Sequence, residues 1–359
     1  MPTAAEVDAD GTPVRVSSPD RVIYPATDRT PEVTKLMVAQ YYADVGDGIM
    51  CALRQRPTAL ERWRRGVQPG ITLATRTGEN SDAFYQKRVP KGAPEFVETA
   101  TITFPSGRTA DEVCPTSLAV PVWAAHMGTI TFHPWPVRRA DVDRPDELRI
   151  DLDPQPGTGF TDAVRVAGVA RKLLDDLGLV GYPKTSGSRG IHIYIRIEPR
   201  WEFTDVRHAA IGFGRELEKR DDGVTTAWWK EERGERIFVD FNQNCRDRTI
   251  ASAYSLRARP SAPVSTPVTW DELADLTDPG EFNLFNVPER VQGDGDPWRT
   301  IDDEHFSIQP LLDLYEESGL GEMPYPPDHP KMPGEPPRVQ PSRKVEEHWD
   351  ADGNRIDPG

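Results

Sequence analysis

Apolar and polar residues alternate at every second position in several stretches of this chain, the period of a half-buried β-strand. In residues 191–197 four isoleucines alternate with His192, Tyr194 and Arg196. In residues 129–133 Ile130 and Phe132 alternate with Thr129, Thr131 and His133. Residues 98–104, rich in Thr, Ile and Phe, read as a further strand. Two short strands carry carboxylates. One is Arg149-Ile-Asp151-Leu-Asp153, stopped by Pro154 and a Gly-rich turn; the other is residues 236–240, ending in Asp240.

Helical spacing separates these strands. Thr161 is placed to cap a helix with Ala163, Val166, Ala170, Leu173, Leu174 and Leu177 on one face, and Gly178 ends it. Thr204 caps the next, with Val206, Ala209, Ala210, Phe213 and Leu217 in line. Thr30-Pro31 opens an earlier helix bearing Val33, Leu36, Met37, Gln40 and Tyr41. This order predicts an α+β fold with mostly antiparallel sheet flanked by helices. Residues 1–18 are polar and expected to be loose. Residues 19–300 are expected to form the main folded domain, and 301–359 an acidic, Pro-rich extension. Met323-Pro-Tyr-Pro-Pro and Pro333-Gly-Glu-Pro-Pro in that extension suit an extended or wrapping tail better than a second core.

Composition narrows the class. The 359 residues are 37% apolar, enough for a packed core, and no run approaches the roughly 20 apolar residues of a membrane span. The N-terminus lacks the basic start and apolar stretch of a secretion signal. Cys51, Cys114 and Cys245 are scattered, odd in number and form no zinc or disulfide framework, so a reducing, cytoplasmic compartment is expected. The formal net charge of −15 looks wrong for a nucleic-acid binder. However, residues 281–359 hold 18 acidic against 7 basic side chains, a net of −11, which leaves −4 for residues 1–280. A near-balanced body can hold a local basic groove.

Strand geometry gives the carboxylates a chemistry. Residues two apart share a face, so Asp151 and Asp153 point the same way, roughly 7 Å apart along the strand. Two bare carboxylates this close repel unless a positive charge lies between them. Asp240 follows the same logic, with Ile237 and Val239 facing the other way. If these strands share a sheet, Asp151, Asp153, Asp240, His192 and His133 converge. Such a set suits phosphoryl transfer, in which two ions roughly 4 Å apart clamp the attacking and leaving oxygens. Arginines would then neutralise a triphosphate. An Asp-x-Asp pair alone equally describes a solvated strand end, and each histidine equally a satisfied core residue. The segment Lys184-Thr-Ser-Gly-Ser-Arg-Gly-Ile-His192 lets backbone amides approach a phosphate, with Lys184 and Arg189 adding charge. The same composition fits an ordinary turn, and the Walker pattern is absent.

The combination resembles a known family. Asp151-Leu-Asp153-Pro, then Thr185-Ser-Gly-Ser-Arg-Gly-Ile-His192-Ile-Tyr, then Ile237-Phe-Val-Asp240-Phe-Asn-Gln243-Asn is similar to the polymerase domain of bacterial DNA ligase D, within the archaeo-eukaryotic primase superfamily. Further matching stretches are Arg21-Val-Ile-Tyr-Pro25, Arg56-Pro57 with Arg62-Trp63, Phe84-Tyr85-Gln-Lys87, and Thr249-Ile-Ala with Tyr254-Ser-Leu-Arg257. The likeness runs over roughly residues 15–300 in consistent order, which makes 19–300 a catalytic domain with a primase-like core.

That resemblance implies roles. Asp151, Asp153 and Asp240 would ligate two divalent cations, manganese first and magnesium as the alternative. His133, Lys184, Ser186, Arg189, His192, Arg233, Gln243 and Arg257 would surround the incoming nucleoside triphosphate. Arg21, Lys35, Arg62, Phe84, Tyr85 and Lys87 would contact DNA, the aromatic pair by stacking on bases. Arg21 and Lys35 would approach a 5'-phosphate, and the run Arg54, Arg56, Arg62, Arg64, Arg65 would track DNA phosphates or form a solvated surface. The expected activity is template-dependent nucleotidyl transfer: gap filling and end repair, with priming in reach and ribonucleotides accepted or preferred. A nucleoid-associated monomer in a bacterial cytoplasm is expected, acting on gapped, nicked or broken DNA. Sealing would fall to a separate ligase and an end-binding protein, since no Lys-x-Asp-Gly motif is present. A degenerate DNA-end-binding module and a manganese-dependent sugar-nucleotide transferase stay open at this point.

Overall fold

The computed structural model describes residues 4–74, 82–104 and 107–326. In chain order these form β1 (Ala4–Ala9), β2 (Thr12–Ser17), β3 (Val22–Tyr24), β4 (Val33–Thr34), α1 (Lys35–Asp44), α2 (Gly46–Leu53), β5 (Thr58–Trp63), β6 (Ala83–Gln86), β7 (Thr99–Thr103) and β8 (Thr109–Val113). There follow α3 (Ala119–His126), β9 (Thr129–Pro134), β10 (Glu147–Pro154), α4 (Phe160–Asp176), β11 (Tyr182–Thr185), β12 (Ile191–Arg196), α5 (Phe203–Arg220), β13 (Val224–Thr225) and β14 (Ile237–Val239). Three shorter helices, α6 (Trp270–Asp275), α7 (Val287–Asp294) and α8 (Gln309–Glu317), complete the order.

Two five-stranded sheets carry the fold among the described residues. The first runs β11-β12-β10-β14-β13, antiparallel except for the β13–β14 pair. The second is β6-β5-β8-β7, with β9 also paired to β5. The α+β layout with mostly antiparallel strands is as the sequence predicts. In β10 every second residue is apolar, and Leu148, Ile150 and Leu152 are buried together with Ile191, Ile193 and Ile195 of β12 and Ile237 and Val239 of β14. Helices α4 and α5 pack on β10, with Val166, Ala170 and Leu173 of α4 and Val206, Ala210 and Phe213 of α5 in the same core. Each fully buried aliphatic side chain of this kind contributes about 1.5–3 kcal/mol. The core therefore fixes which face of the sheet is left for polar residues.

That polar face is held at its inner end by charge. Arg56 is fully buried, and its guanidinium forks onto Asp146 at 2.5 and 2.9 Å and reaches Glu147 at 2.9 Å. Glu147 also takes Arg149 at 2.6 Å, and Arg196. Burial alone would raise the carboxyls of Asp146 and Glu147; Arg56 and its neighbours hold both below the ordinary range. Arg56 is thus a structural residue with no surface to offer DNA, which removes it from the expected phosphate-tracking run.

Several sequence expectations are corrected. Residues 4–17 are ordered as the β1–β2 hairpin, whose Val7, Ala9, Val14 and Val16 join the main core. The stretch looks polar because only alternate positions face inward. The first helix starts at Lys35, capped by Thr34; Val33 and Thr34 pair with β3 instead of opening the helix. The caps at Thr161 and Thr204 also move: Gly159 and Glu202 lead α4 and α5, each with its amide held by an aspartate three residues on. The boundary at residue 300 cuts through packed structure. Ile301, Ile308, Leu311, Tyr315 and Tyr325 are buried, and α8 lies along α5. Residues 327–359, including the second Pro-rich stretch, lie outside the described residues. No described helix is long and apolar enough to cross a membrane.

The α5–α8 packing depends on one glycine. A Cβ at Gly212 would stand 2.4 Å from the backbone oxygen of Leu311 and 2.9 Å from the nitrogen of Tyr315. Helix propensity alone would favour alanine there by about 1 kcal/mol. Gly212→Ala is nevertheless expected to lower unfolding free energy by about 1–3 kcal/mol, because the helices must separate. Urea unfolding measures this, and a stability gain would refute the close-packing account.

Candidate active site

The register of the first sheet builds one transverse row of functional groups. Lys184 on β11 lies opposite His192 on β12, and His192 lies opposite Asp151 on β10. On the other side of β10 the amide of Asp240 donates to the carbonyl of Asp151 at 3.0 Å. Residues 184, 192, 151 and 240, far apart in sequence, therefore stand abreast. Asp153 lies one step nearer the open end of β10, opposite Phe238.

The three carboxylates perturb one another. Burial raises the pKa of Asp151 well above its ordinary value, and the charges of Asp240 and Asp153 raise it further. Burial and then Asp240 push Asp153 up as well, and burial does the same to Asp240. Asp240 and Asp153 have protein donors. Asp240 accepts from the amide of Asn242 at 3.1 Å and from Gln243 Nε2 at 3.0 Å. Asp153 accepts from Gln155 Nε2 at 3.2 Å, and Asp151 lies 3.4 Å from His192 Nε2. Among the described residues no group of three His, Cys, Asp or Glu side chains is set to hold a metal ion as it stands. The mutual repulsion is nonetheless what a bound cation would relieve.

A cavity of about 310 Å³ opens over this row. Asp151, Asp153 and His192 line it from the first sheet, and His133 on β9 lines it from the second. Ser186, Arg189 and Arg257 supply polar and cationic groups, and Gln243 closes one side. Next to it a smaller cavity of about 190 Å³ is lined by Arg233, Lys230, Arg248, Asp240 and Trp228, and shares Asp153 and Gln243 with the first. The Ser/Gly turn wraps tightly here. A Cβ at Gly187 would meet Arg257 Cγ at 2.6 Å, and Gly187 takes φ +67°, the left-handed region that glycine enters freely. The amides of Ser188 and Gly190 both donate to Ser186 Oγ at 3.1 Å. Those two amides are thus satisfied within the loop, which corrects the picture of an open backbone cradle.

The matching region is long. A family model described as "LigD, primase-polymerase domain" matches residues 34–298. The chain belongs to this family. It is 31% identical over 290 residues, 79% of its length, to the multifunctional non-homologous end joining protein LigD of Pseudomonas aeruginosa. It is 33% identical over 268 residues, 73% of its length, to the LigD protein of the same description from Mycolicibacterium smegmatis. The chain spans about a third of the length of these curated relatives, 32% of each. Among solved structures, the polymerase domain of Mycobacterium tuberculosis ligase D in complex with DNA superposes with a TM-score of 0.71 at 30% identity, covering 82% of this chain and 99% of that one.

Within this LigD-family fold the expected residues fall into three groups. Asp151, Asp153, His133, Ser186, Arg189, His192, Gln243 and Arg257 share the larger cavity, while Asp240 and Arg233 line the adjoining one. Lys184 does not reach either. It is fully buried behind His192, with its ammonium 2.9 Å from His192 Nδ1 and 2.5 Å from Ser265 Oγ, so its expected contact with nucleotide is corrected to a contact with His192. The expected DNA residues divide as well. Tyr85 is 46% exposed and meets His133 edge-on at 5.1 Å; Lys87 is exposed. Phe84 lies under Arg62, whose guanidinium is held by the Met127 carbonyl and Gln86, so Arg62 is a packing residue more than a free cation. Lys35 is buried with its ammonium on the Ser17 carbonyl at 2.8 Å; burial and the charge of Arg21 lower its pKa to about 8. Burial, then Lys35, Arg15 and Arg62, lower His126 to about 4, which marks a cluster of like charges around the N-terminal hairpin.

Sequence reasoning missed Glu61, Gln155, Arg248 and Arg259. Glu61 accepts from Trp63 Nε1 at 2.8 Å and lies 2.9 Å from His133 Nε2, holding that ring. A carboxylate inside the apolar strand Thr-Ala-Leu-Glu61-Arg-Trp was the available signal.

The repulsion has a thermodynamic consequence. A carboxyl whose pKa is raised on folding binds protons better in the native state, so its contribution is favourable at low pH and is lost as pH rises through the folded value. In the metal-free protein Asp151, Asp153 and Asp240 are expected to contribute a loss of stability as pH climbs from about 4 toward neutrality, against the gain from lowered carboxyls such as Asp146 and Glu147. Asp151→Asn should flatten that slope and raise Tm at neutral pH by about 2–5 °C. Thermal scans across pH check it; a lower Tm for Asp151→Asn at pH 7 would remove the repulsion argument.

Proposed function

We propose that this chain is a template-directed nucleotidyl transferase that extends DNA 3' ends at gaps and breaks, with ribonucleotides accepted or preferred. The observation that carries this reading is the row of Asp151 and Asp240, with Asp153 beside it, at the floor of a cavity rimmed by Arg189, Arg257 and Ser186. Membership of a family whose relatives are end-joining proteins supports DNA as substrate, as does the likeness to a polymerase domain solved with DNA. It leaves the sugar-nucleotide alternative without support.

Two divalent cations, manganese first, are the complement these carboxylates call for, with Asp151, Asp153 and Asp240 as ligands. Bound there, they would neutralise charge on the reacting phosphate. The 3'-hydroxyl attacks the α-phosphate of the incoming nucleotide and pyrophosphate leaves. Arg189, Arg257 and Ser186 hold the triphosphate, and His133, oriented by Glu61, borders the sugar and base. Gln243 stands on the side of Asp240 between the two cavities, and Arg233 lines the smaller one. Tyr85 offers an exposed aromatic face to a template base, which tolerates any sequence. Arg15 and Arg21, both exposed, form a basic surface for DNA phosphate, with Lys87 on another part of the rim.

The test is primer extension on gapped, blunt-ended and unprimed templates, with ribo- and deoxynucleotides, in manganese and magnesium. The wild type should extend the gapped primer, and Asp151→Ala or Asp153→Ala should lower the rate by more than about a hundredfold. Tight DNA binding with no incorporation by the wild type would replace this reading with that of an end-binding module.

A further inference from the structure

The chain beyond the matched residues 34–298 returns to the catalytic row from behind. After α8, residues 318–326 cross the outer face of α5 as an extended strap. Three side chains of α5 hold it. Arg215 donates to Ser318 Oγ at 3.0 Å and to the Gly321 carbonyl at 2.8 Å. His208 lies 2.6 Å from Glu322. Arg207, fully buried, binds Glu322 and donates to the carbonyls of Met323 at 2.8 Å and Pro324 at 3.1 Å. The ring of Tyr325, itself 1% exposed, covers the Arg207 guanidinium at 3.9 Å.

The Nε–H of Arg207 points inward. Its Nε donates to Asn242 Oδ1 at 3.0 Å, and the guanidinium lies 5.3 Å from the Phe241 ring. The amide of Asn242 donates to Asp240 Oδ1, and the neighbouring Gln243 holds Oδ2. The 3-10 turn Phe241–Asn244 is therefore held at its start by Asp240, at its end by Asn244 on the Arg149 backbone, and at Asn242 by Arg207. At the end of the strap, Pro326 lines the smaller cavity together with Asp153 and Asp240.

We propose that Arg207 is a positioning residue for Asp240, acting through Asn242, and that residues 318–326 complete this device by binding both terminal nitrogens of its guanidinium. A buried arginine without these partners would be an uncompensated charge, which is strongly destabilising where it stands. With the strap on the two terminal nitrogens, the guanidinium is oriented so that its Nε–H is aimed at Asn242. Asp240 is the carboxylate of the set that does not sit within β10, and its direction depends on the short turn that follows it. The extension is in this sense part of the site and more than a cover for α5.

The positioning argument rests on the nucleotidyl-transfer reading only for its rate arm; its structural arm stands independently. The strap variant Glu322→Gln/Tyr325→Ala leaves every cavity-lining side chain in place, and Arg207→Met removes the link outright. Hydrogen–deuterium exchange on the full chain should show the amides of residues 241–245 exchanging roughly tenfold faster or more in the strap variant, the effect of losing a charge-assisted hydrogen bond. Exchange in β10 and β12 should stay as in the wild type. In primer extension kcat should fall, while the nucleotide KM and the DNA Kd stay within about twofold, because only the carboxylate is misdirected. Conservative Arg207→Lys, which cannot serve Asn242 and the strap at once, should resemble the strap variant. If residues 318–326 exchange freely in the strap variant while 241–245 keep wild-type protection, the positioning role is refuted. The same holds if kcat is unchanged. An inactive wild type with faster exchange at 241–245 in the variant would instead sink the nucleotidyl-transfer reading and leave the linkage intact.

Discussion

The antiparallel register of β12, β10 and β14 is the constraint on which the site depends. A slip of one residue would turn Asp151 and Asp153 into the core and bring Ile150 and Leu152 to the cavity, because side chains alternate with a period of two. Two features resist that slip. On the apolar face, Ile150 and Leu152 pack against α4 and α5. On the polar face, Glu147 opposite Arg196 and Arg149 opposite Tyr194 form a ladder that only one register satisfies. The buried cluster of Arg56, Asp146 and Glu147 anchors the far end of the same strand. Charge in the interior here specifies position, a role for which a hydrophobic cluster of equal volume would be poorly suited.

The open end of the ladder is built against its own stability. Asp240 raises the pKa of both Asp151 and Asp153, and the donors on the set are neutral: Gln155 on Asp153, and Gln243 and the Asn242 amide on Asp240. Strong cations border the set. Arg189 and Arg257 reach the rim of the cavity, and Arg257 is tied to the Ser186 carbonyl at 2.7 Å. This sets negative charge at the floor and positive charge at the entrance, an arrangement suited to a polyanion that arrives with its own cations.

Elements at both ends of the chain serve the centre. The β1–β2 hairpin contributes Arg15 and the Ser17 carbonyl that holds Lys35, and so assembles a basic surface that the following helix alone would lack. The α8 helix and the strap close over α5, and through Arg207 reach the turn behind Asp240. Neither the hairpin nor α8 is an appendage: both bury apolar side chains in the main core.

Much of this was legible in the sequence. The alternation in β9, β10 and β12 fixed which side chains face away from the core, and the ordered sequence of motifs around Asp151, Ser186 and Asp240 identified the family, because local periodicity and motif order are properties of the chain alone. Tertiary structure decided the rest. Lys184 and Arg62 look like free cations in the sequence, yet one is buried behind His192 and the other is held by Met127 and Gln86; burial depends on which strands become neighbours. The N-terminal hairpin and the strap read as loose or wrapping because half of their residues are polar, and only the partner surface shows where the other half goes. The meeting of Asp240 with Asp151 is likewise a matter of register between strands almost ninety residues apart, which no local pattern encodes.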